Sequence, residues 1–514
     1  MYLGFDSSTQ SLSALIIDPD TGKIIADESV NFGKDLPNYD SPSGFIPGGK
    51  DGEVHANPLM WLDALDLLLG KLAQATDLAA VKIIAGSGQQ HGSVYLNANF
   101  EGALAALDSK SSLSSQLSSA LTRATSPIWM DTSTGEECEE ITESLGGAGE
   151  VCSRSGSVAI ERFTGPQIRK FYKQSPEAYA TTKHIHLVSS FIASVLSGKS
   201  LPIDFGDGAG MNLLNLKHLD WDANLLNATA PDLSQKLGAP TSCLSPTATI
   251  GSYFVNKYGF AKTCRICPFT GDNPASLVGM GATAPGQVVI SLGTSDTFFA
   301  AMPGPKTDPQ GFGHVFGNPA GGFMSLICFL NGSLSREALR DELSADWSAF
   351  DQKALAETKS SAGKNLTLPF YGAEITPRHD FKKPITKFSE EPTPALRVRS
   401  LLEGQFLNMR LHSAWMEVTP ERILLTGGAA KNDGIAQIVA DVFQAPVERL
   451  EVANSAALGG ALIAASTDHT SLSELQQIFC KPSPESRIEP DRSLKDTYNR
   501  ALEAYQGLLS SSIS

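Results

Sequence analysis

Hydroxyl side chains gather in two short turns of this 514-residue chain, each lying between apolar runs. In the first, Asp6-Ser7-Ser8-Thr9-Gln10-Ser11 follows Tyr2 to Phe5 and leads into Leu12 to Asp18. In the second, Ser291 to Thr297 follows Val288-Val289-Ile290 and leads into Phe298 to Met302. Each reads as strand, tight turn, strand. Such a turn aims consecutive backbone N–H groups and Ser/Thr hydroxyls at one point, which makes a cradle for an anion such as a nucleotide phosphate. Either turn alone is equally an ordinary hairpin; two in one chain point to a duplicated nucleotide clamp. A third element adds to this. Arg422 to Thr426 reads as a buried strand that runs into Gly427-Gly428-Ala429-Ala430-Lys431-Asn432 and then into the helical pattern Ile435 to Phe443. Glycines at a strand-to-helix turn let a flat ligand approach the backbone, and the helix start favours negative charge.

These loops need a scaffold, and the periodicity supplies one. Asn57-Pro58 reads as an N-cap followed by proline at the first helical position, with Trp61, Leu62, Leu65, Leu68, Leu69 and Leu72 on one face. Val81 to Ala85 reads as a strand that ends in Gly86-Ser87-Gly88-Gln89-Gln90-His91-Gly92. Ser109 to Ser119 reads as a surface excursion, Leu396 to Met416 as a helix, and Leu494 to Leu508 as a helix packed on the second half. Both halves repeat one order of elements, which predicts two mixed α/β domains with a cleft between them. The crossover is expected in the extended stretch Ala239 to Phe260, and the division is drawn as 1–268 and 269–514.

Composition bounds the function. The apolar fraction of 41% and charged fraction of 18% are those of a globular protein. A net charge of −15 argues against a nucleic-acid surface, so any phosphate must be held locally by loops and metal. No apolar run approaches the ~20 residues that span a bilayer, and no leader precedes Tyr2; no membrane partner is expected and the cytoplasm is the expected compartment. Seven cysteines, an odd and scattered set, fit a reduced compartment. Cys264 and Cys267 have zinc-ligand spacing but lack a second pair nearby, and read as part of an apolar strand.

The order of hairpin turn, second hairpin turn and strand-Gly-Gly-helix is similar to the actin-like (ribonuclease H-like) ATPase architecture. Over nearly its whole length the chain resembles the FGGY carbohydrate kinases, and among them the eukaryotic-type branch that acts on D-xylulose. The resemblance rests on Trp129-Met130-Asp131-Thr132-Ser133-Thr134, Glu161-Arg162-Phe163-Thr164-Gly165, Pro202 to Leu214, Phe269 to Leu277 and Ser291 to Thr297. It implies a sugar-binding domain over 1–268 and a nucleotide-binding domain over 269–514 that includes the C-terminal helical segment. It implies transfer of the γ-phosphoryl group of MgATP to the 5-hydroxyl of D-xylulose, with Asp207 as the base that accepts the hydroxyl proton. His91, Arg162, Asp272 and Asn273 are implied as sugar contacts, the His91 imidazole as a donor to a sugar oxygen. Thr9, Gln10 and Thr294 are implied at the ATP phosphates, Gly427, Gly428, Ala429 and Asn432 in the adenosine loop, and Trp347 near the adenine. Asp6 is implied to orient Mg2+ through water.

The chain departs from the bacterial pattern at Gln90, where methionine is common, and at Thr132, where arginine is usual. Lys170-Phe171-Tyr172 also lacks a frequent tryptophan. Two rivals stand beside the D-xylulose reading. One is a kinase of the same family for ribulose, gluconate or glycerol. The other is an actin-like ATP-driven regulatory or assembly protein without sugar chemistry. A homo-oligomer is compatible with the sequence.

Overall fold

A computed structural model describes residues 1–356, 363–389, 391–450 and 454–513. It divides into two compact units, one comprising 1–281, 315–323 and 452–480, the other 282–314, 324–451 and 481–514.

The first unit is built on a twisted mixed sheet ordered Ala248–Thr249, Arg265–Ile266, Ile83–Gly88, Tyr2–Ser7, Ser11–Asp18 and Lys23–Asn31, with Thr270–Gly271 also paired to Ile83–Gly88. The hairpin forms as its two apolar runs and intervening turn predict, with Gly4 opposite Leu15 and Ser7 opposite Leu12. The long helix Pro58–Ala75 starts where Asn57 accepts from the Leu59 amide, and its Trp61, Leu62, Leu65, Leu68, Leu69 and Leu72 are fully buried in the core beneath the sheet.

The other sheet face is covered by helix Ser455–Ser466, from far along the chain, and this is why 452–480 belongs to the first unit. The packing works only with residues that have almost no side chain. A methyl at Gly4 would stand 2.0 Å from the Ala457 carbonyl oxygen and 2.2 Å from the Ala461 nitrogen, and one at Gly460 would stand 2.9 Å from Gly86 Cα.

The second unit repeats the motif. Gln287–Leu292 pairs antiparallel with Asp296–Met302 and parallel with Arg422–Thr426, which in turn pairs parallel with Val447–Arg449. Helices Pro394–Ser413, Asp433–Phe443 and Lys495–Ile513 pack around it.

Three sequence expectations change. Residues 269–281 continue the first unit beyond the 268/269 division, because Thr270–Gly271 joins its sheet. The stretch 239–260 is not a crossover: Ala248–Thr249 pairs with Arg265–Ile266 and Tyr253 and Phe254 enter the first core. The serine-rich stretch contains helix Leu113–Leu117, whose two leucines are buried. Cys264 and Cys267 fall in two different apolar clusters, and among the described residues no group of three or more metal-ligating side chains is found. Nor is any described helix long and apolar enough to cross a membrane.

Forcing a side chain into the Gly4 contact must displace backbone, which costs at least the ~3 kcal/mol of a severe overpacking. We expect Gly4→Val to lower Tm sharply or abolish soluble expression, while Gly102→Val, with nothing within 4 Å of its added carbon, leaves the fold intact apart from the helix-propensity cost. Circular-dichroism melts of the two variants check this.

Candidate active site

Three parallel strands of the first unit, Tyr2–Ser7, Ile83–Gly88 and Thr270–Gly271, end side by side, with Asp6 beside Ser87 and Gly271 beside Gly88. Ligands in open α/β sheets bind just beyond such carboxyl ends. The chain leaving these ends supplies the Ser8 to Gln10 turn, Gln89-Gln90-His91, and Asp272-Asn273 at the start of helix Asp272–Gly279.

Asp207 lies in the short helix Phe205–Gly208 and is wholly buried. Its Oδ2 accepts from Ser189 Oγ at 2.5 Å, whereas Oδ1 has no partner among the described residues. Burial, then the nearby charges of Asp272 and Asp204, push its carboxyl well above the ordinary range, against the Ser189 bond, which lowers it. Once ionised, a carboxylate with one oxygen tied and one free, whose raised pKa makes it a stronger base than an exposed one, is suited to accept a proton from a hydroxyl.

Around it stand polar groups held in fixed orientations. His91 is buried at a positive φ of 70° and stacks on Phe163 with ring centres 4.2 Å apart. The Nδ1 lies 2.7 Å from the Gly210 carbonyl oxygen, so it must be the donor. Burial, then the Arg162 charge, hold the imidazole neutral, its pKa lowered to about 3. The free Nε2 is therefore an acceptor. Sequence reasoning cast His91 as a donor to the sugar; the carbonyl partner reverses that role. Arg162 lies over the same Phe163 ring, 5.7 Å from its centre. Asn273 donates to Gln90 Oε1 at 2.8 Å, which turns the buried Gln90 Nε2 amide, without a partner, toward Gly271 and Gly210. Gln90 entered the sequence reading only as a departure from a pattern; here it presents a free donor. The structure thus brings Asp207, His91, Asp272 and Asn273 together around Gly210 and Gly271, with Arg162 on the Phe163 ring beneath His91.

Asp6 accepts from Ser87 Oγ at 2.8 Å and from Ser8 Oγ. Its carboxyl is raised by burial, and that of Asp272 is pushed up to about 7 by burial first and by the charge of Asp6 next. Neither carboxylate has an ion-pair partner among the described residues. Two mutually repelling carboxylates at one strand end fit a divalent cation of the magnesium type, which takes one or two carboxylates and keeps most of its waters. Thr9 Oγ1 accepts from Trp129 Nε1 at 2.8 Å, and Gln10 lies exposed at the tip of the turn. The tryptophan of the Trp129-Met130-Asp131 segment is thus tied to the first phosphate-type turn.

The second unit contains its own cavity, of about 680 Å3, lined by Gly293, Thr294, Trp347, Gly428, Ala429 and Asn432 among others. Gly427 adopts φ 93°, and a methyl there would meet the Leu292 carbonyl oxygen at 2.3 Å; at Gly428 the same methyl would meet nothing within 4 Å. The first glycine is needed for the turn and the second leaves room for a ligand. Asn432 caps helix Asp433–Phe443 by accepting from the Ile435 amide at 2.9 Å. Trp347 is 41% exposed, which suits a platform for a flat ring better than a core residue. Arg340 lies 4.4 Å over its ring. Sequence reading missed the buried pair Asp296–Arg336, two parallel 2.9 Å hydrogen bonds that fasten the second hairpin turn to helix Ser333–Glu342. It also missed Phe350 and Asp351 in the cavity wall. Asp296 was visible inside the turn; its arginine, 40 residues on, carried no signal.

Two units of like topology, one with polar groups around a buried carboxyl and one with a glycine-lined cavity, define a two-domain phosphotransferase of the actin-like fold. Residues 1–279 match the N-terminal domain model of the FGGY family of carbohydrate kinases, and 288–467 match its C-terminal domain model. The chain is 40% identical over 520 residues to the xylulose kinase of Mus musculus, covering 98% of this chain and 93% of that one. It is also 40% identical to xylulose kinase 2 of Arabidopsis thaliana, covering 90% and 87%. A xylulose kinase structure from Rhodospirillum rubrum superposes with a TM-score of 0.83 at 18% identity, covering 99% of this chain and 98% of that one, a likeness of fold. The chain belongs to the FGGY family of carbohydrate kinases, and it is an ATP-dependent sugar kinase.

Two predictions follow from this geometry. A carboxyl whose pKa is raised by folding binds more protons in the folded than in the unfolded chain. Its contribution to stability therefore falls as pH rises from the unfolded value, 3.8, toward the higher folded value. We expect Asp207→Asn to melt above the unmodified protein, by a margin that grows with pH across that window, as read by calorimetry without ligands. In the second unit, Gly428→Val should leave Tm nearly unchanged yet weaken ATP binding at least ~10-fold, whereas Gly427→Val should lower Tm outright. Titration calorimetry beside thermal melts separates the two.

Proposed function

We propose that the protein transfers the γ-phosphoryl group of ATP to the 5-hydroxyl of D-xylulose, giving D-xylulose 5-phosphate and ADP. The observation that carries the reading is the buried Asp207, one oxygen fixed by Ser189 and the other free, among groups that match a polyol. Xylulose kinases from animals and plants as relatives along nearly the whole chain support the choice of pentulose.

Asp207 Oδ1 accepts the 5-hydroxyl proton as that oxygen bonds to the γ-phosphorus, and the bond from the γ-phosphorus to the bridging oxygen of ADP breaks. His91 Nε2 accepts from one sugar hydroxyl, Asp272 from another, and Gln90, Asn273 and Arg162 donate to sugar oxygens. Because His91 and Gln90 are buried and held in fixed orientations, an analogue lacking the hydroxyl that meets one of them leaves a buried polar group unpaired and is rejected. In the second unit, Gly428 and Ala429 face the nucleoside, Trp347 its base, Asn432 caps the adenosine-loop helix, and Thr294 faces the phosphates. In the first, Thr9 and Gln10 serve the phosphates, and Asp6 is the residue that would hold Mg2+. Bound there, Mg2+ neutralises charge on the phosphate oxygens. Seven free thiols suit a reducing compartment, and we place the protein in the cytoplasm.

Coupled ADP release with MgATP and D-xylulose, D-ribulose, L-ribulose, glycerol or gluconate tests the reading. We expect kcat/KM for D-xylulose to exceed the others by on the order of 10²-fold. Asp207→Asn should lower kcat by roughly 10²–10⁴-fold with little change in KM. Faster turnover of another polyol would move the substrate, and unchanged kcat in the variant would remove Asp207 from the base role.

A further inference from the structure

Ser189 belongs to none of the motifs above, yet it makes the only hydrogen bond to the Asp207 side chain among the described residues. It is the second residue of helix Val188–Ser197 and is fully buried. Its approach depends on a glycine. A methyl at Gly88, the end of the central strand, would stand 2.5 Å from the Ser189 nitrogen and 3.0 Å from its Cα. Gly88 thus lets the start of this helix sit against the strand end, where the hydroxyl reaches Asp207.

We propose that Ser189 is the positioning residue of the base: it holds Oδ2, so that Oδ1 alone faces the substrate hydroxyl. The proposal rests on Asp207 being the base. A carboxylate turns freely about its terminal bond unless something fixes it, and Asp207 has no second partner to do so. The donor also favours the charged form, which is the form that takes a proton. The charged groups acting on Asp207 from its surroundings are Asp272 beyond strand Thr270–Gly271 and Asp204 on its own turn, while His91, packed against Gly210, is neutral. Asp272 and Asp204 oppose ionisation, and the first turn of helix Val188–Ser197 offers no titratable side chain. Ser189 is therefore the side chain that offsets them.

The sign follows. Removing the donor raises the pH at which Asp207 ionises, so the acidic limb of the kcat profile moves up. A hydrogen bond to a charged group corresponds to about one to two pH units, so at a pH below the limb kcat falls about 10- to 100-fold. KM for the sugar should change little, since Ser189 makes no sugar contact.

The test is the pH profile of kcat and KM for Ser189→Ala and Ser189→Cys, with Asp207→Asn as reference and thermal melts over the same pH range. We expect Ser189→Ala to shift the acidic limb upward by about one to two units, and Ser189→Cys, a weaker donor, to fall between. The fall of Tm with rising pH should extend to higher pH in Ser189→Ala than in the unmodified protein. That difference should vanish when both changes are made in Asp207→Asn. An unshifted limb in a folded Ser189→Ala, with Asp207→Asn inactive, would overturn the positioning role and leave the base standing. Full activity in Asp207→Asn would instead overturn the base reading. Should Ser189→Ala fail to fold, the Cys variant and the melts of the Asp207→Asn, Ser189→Cys pair decide by the same criteria.

Discussion

A carboxylate taken out of water tends to hold its proton, and a base must give that proton up. The first unit is organised around this opposition. Asp207 is excluded from solvent, and the charges of Asp272 and Asp204 add to the penalty of burial, so its pKa stands well above the ordinary carboxylate value. A fully neutral acid would be useless, and the Ser189 hydroxyl restrains the rise from one side while leaving the other oxygen open. The cost falls on stability, as is common where a site must bury charge.

Such burial needs backbone brought close to backbone, and the glycines of the strand ends provide it. Gly88 admits helix Val188–Ser197, Gly271 leaves 3.0 Å between its would-be methyl and Asp207 Oδ1, and Gly4 and Gly460 let helix Ser455–Ser466 close the far face of the sheet. The same economy of side chain governs the second unit, where Gly427 turns the chain at a positive φ and Gly428 leaves the cavity open. Bulk sits elsewhere, in the leucine stripe of Pro58–Ala75 and the aromatic residues around it. Rigid packing at a distance and bare backbone at the site are complementary parts of one design.

Much of this was visible in local pattern. Both hairpins, the strand before Gly427, the capped leucine helix and the C-terminal helix follow from short apolar runs, 3.6-residue spacing and turn chemistry, signals contained in a dozen neighbouring residues. What local pattern does not contain is long-range packing. Helix Ser455–Ser466 is small-residue and apolar all round, so nothing in it names its partner sheet, and 452–480 was assigned to the second domain as a result. Likewise Ser189 and Arg336 acquire their roles only from the residues they meet 18 and 40 positions away. For His91 the type of residue was informative and its hydrogen-bonding sense was not, because that sense is set by the Gly210 carbonyl.

The central claim is that Asp207 is a buried carboxyl held at a raised pKa with one oxygen free. Difference infrared spectroscopy of the ligand-free protein against Asp207→Asn, followed through a pH titration, reads its protonation directly. We expect a protonated-carboxyl stretch, absent from the variant, that titrates away with a midpoint clearly above the ordinary carboxylate value of 3.8. A midpoint at or below that value would contradict the account, since Asp207 would then be fully ionised wherever the enzyme works and its burial would explain nothing about the chemistry.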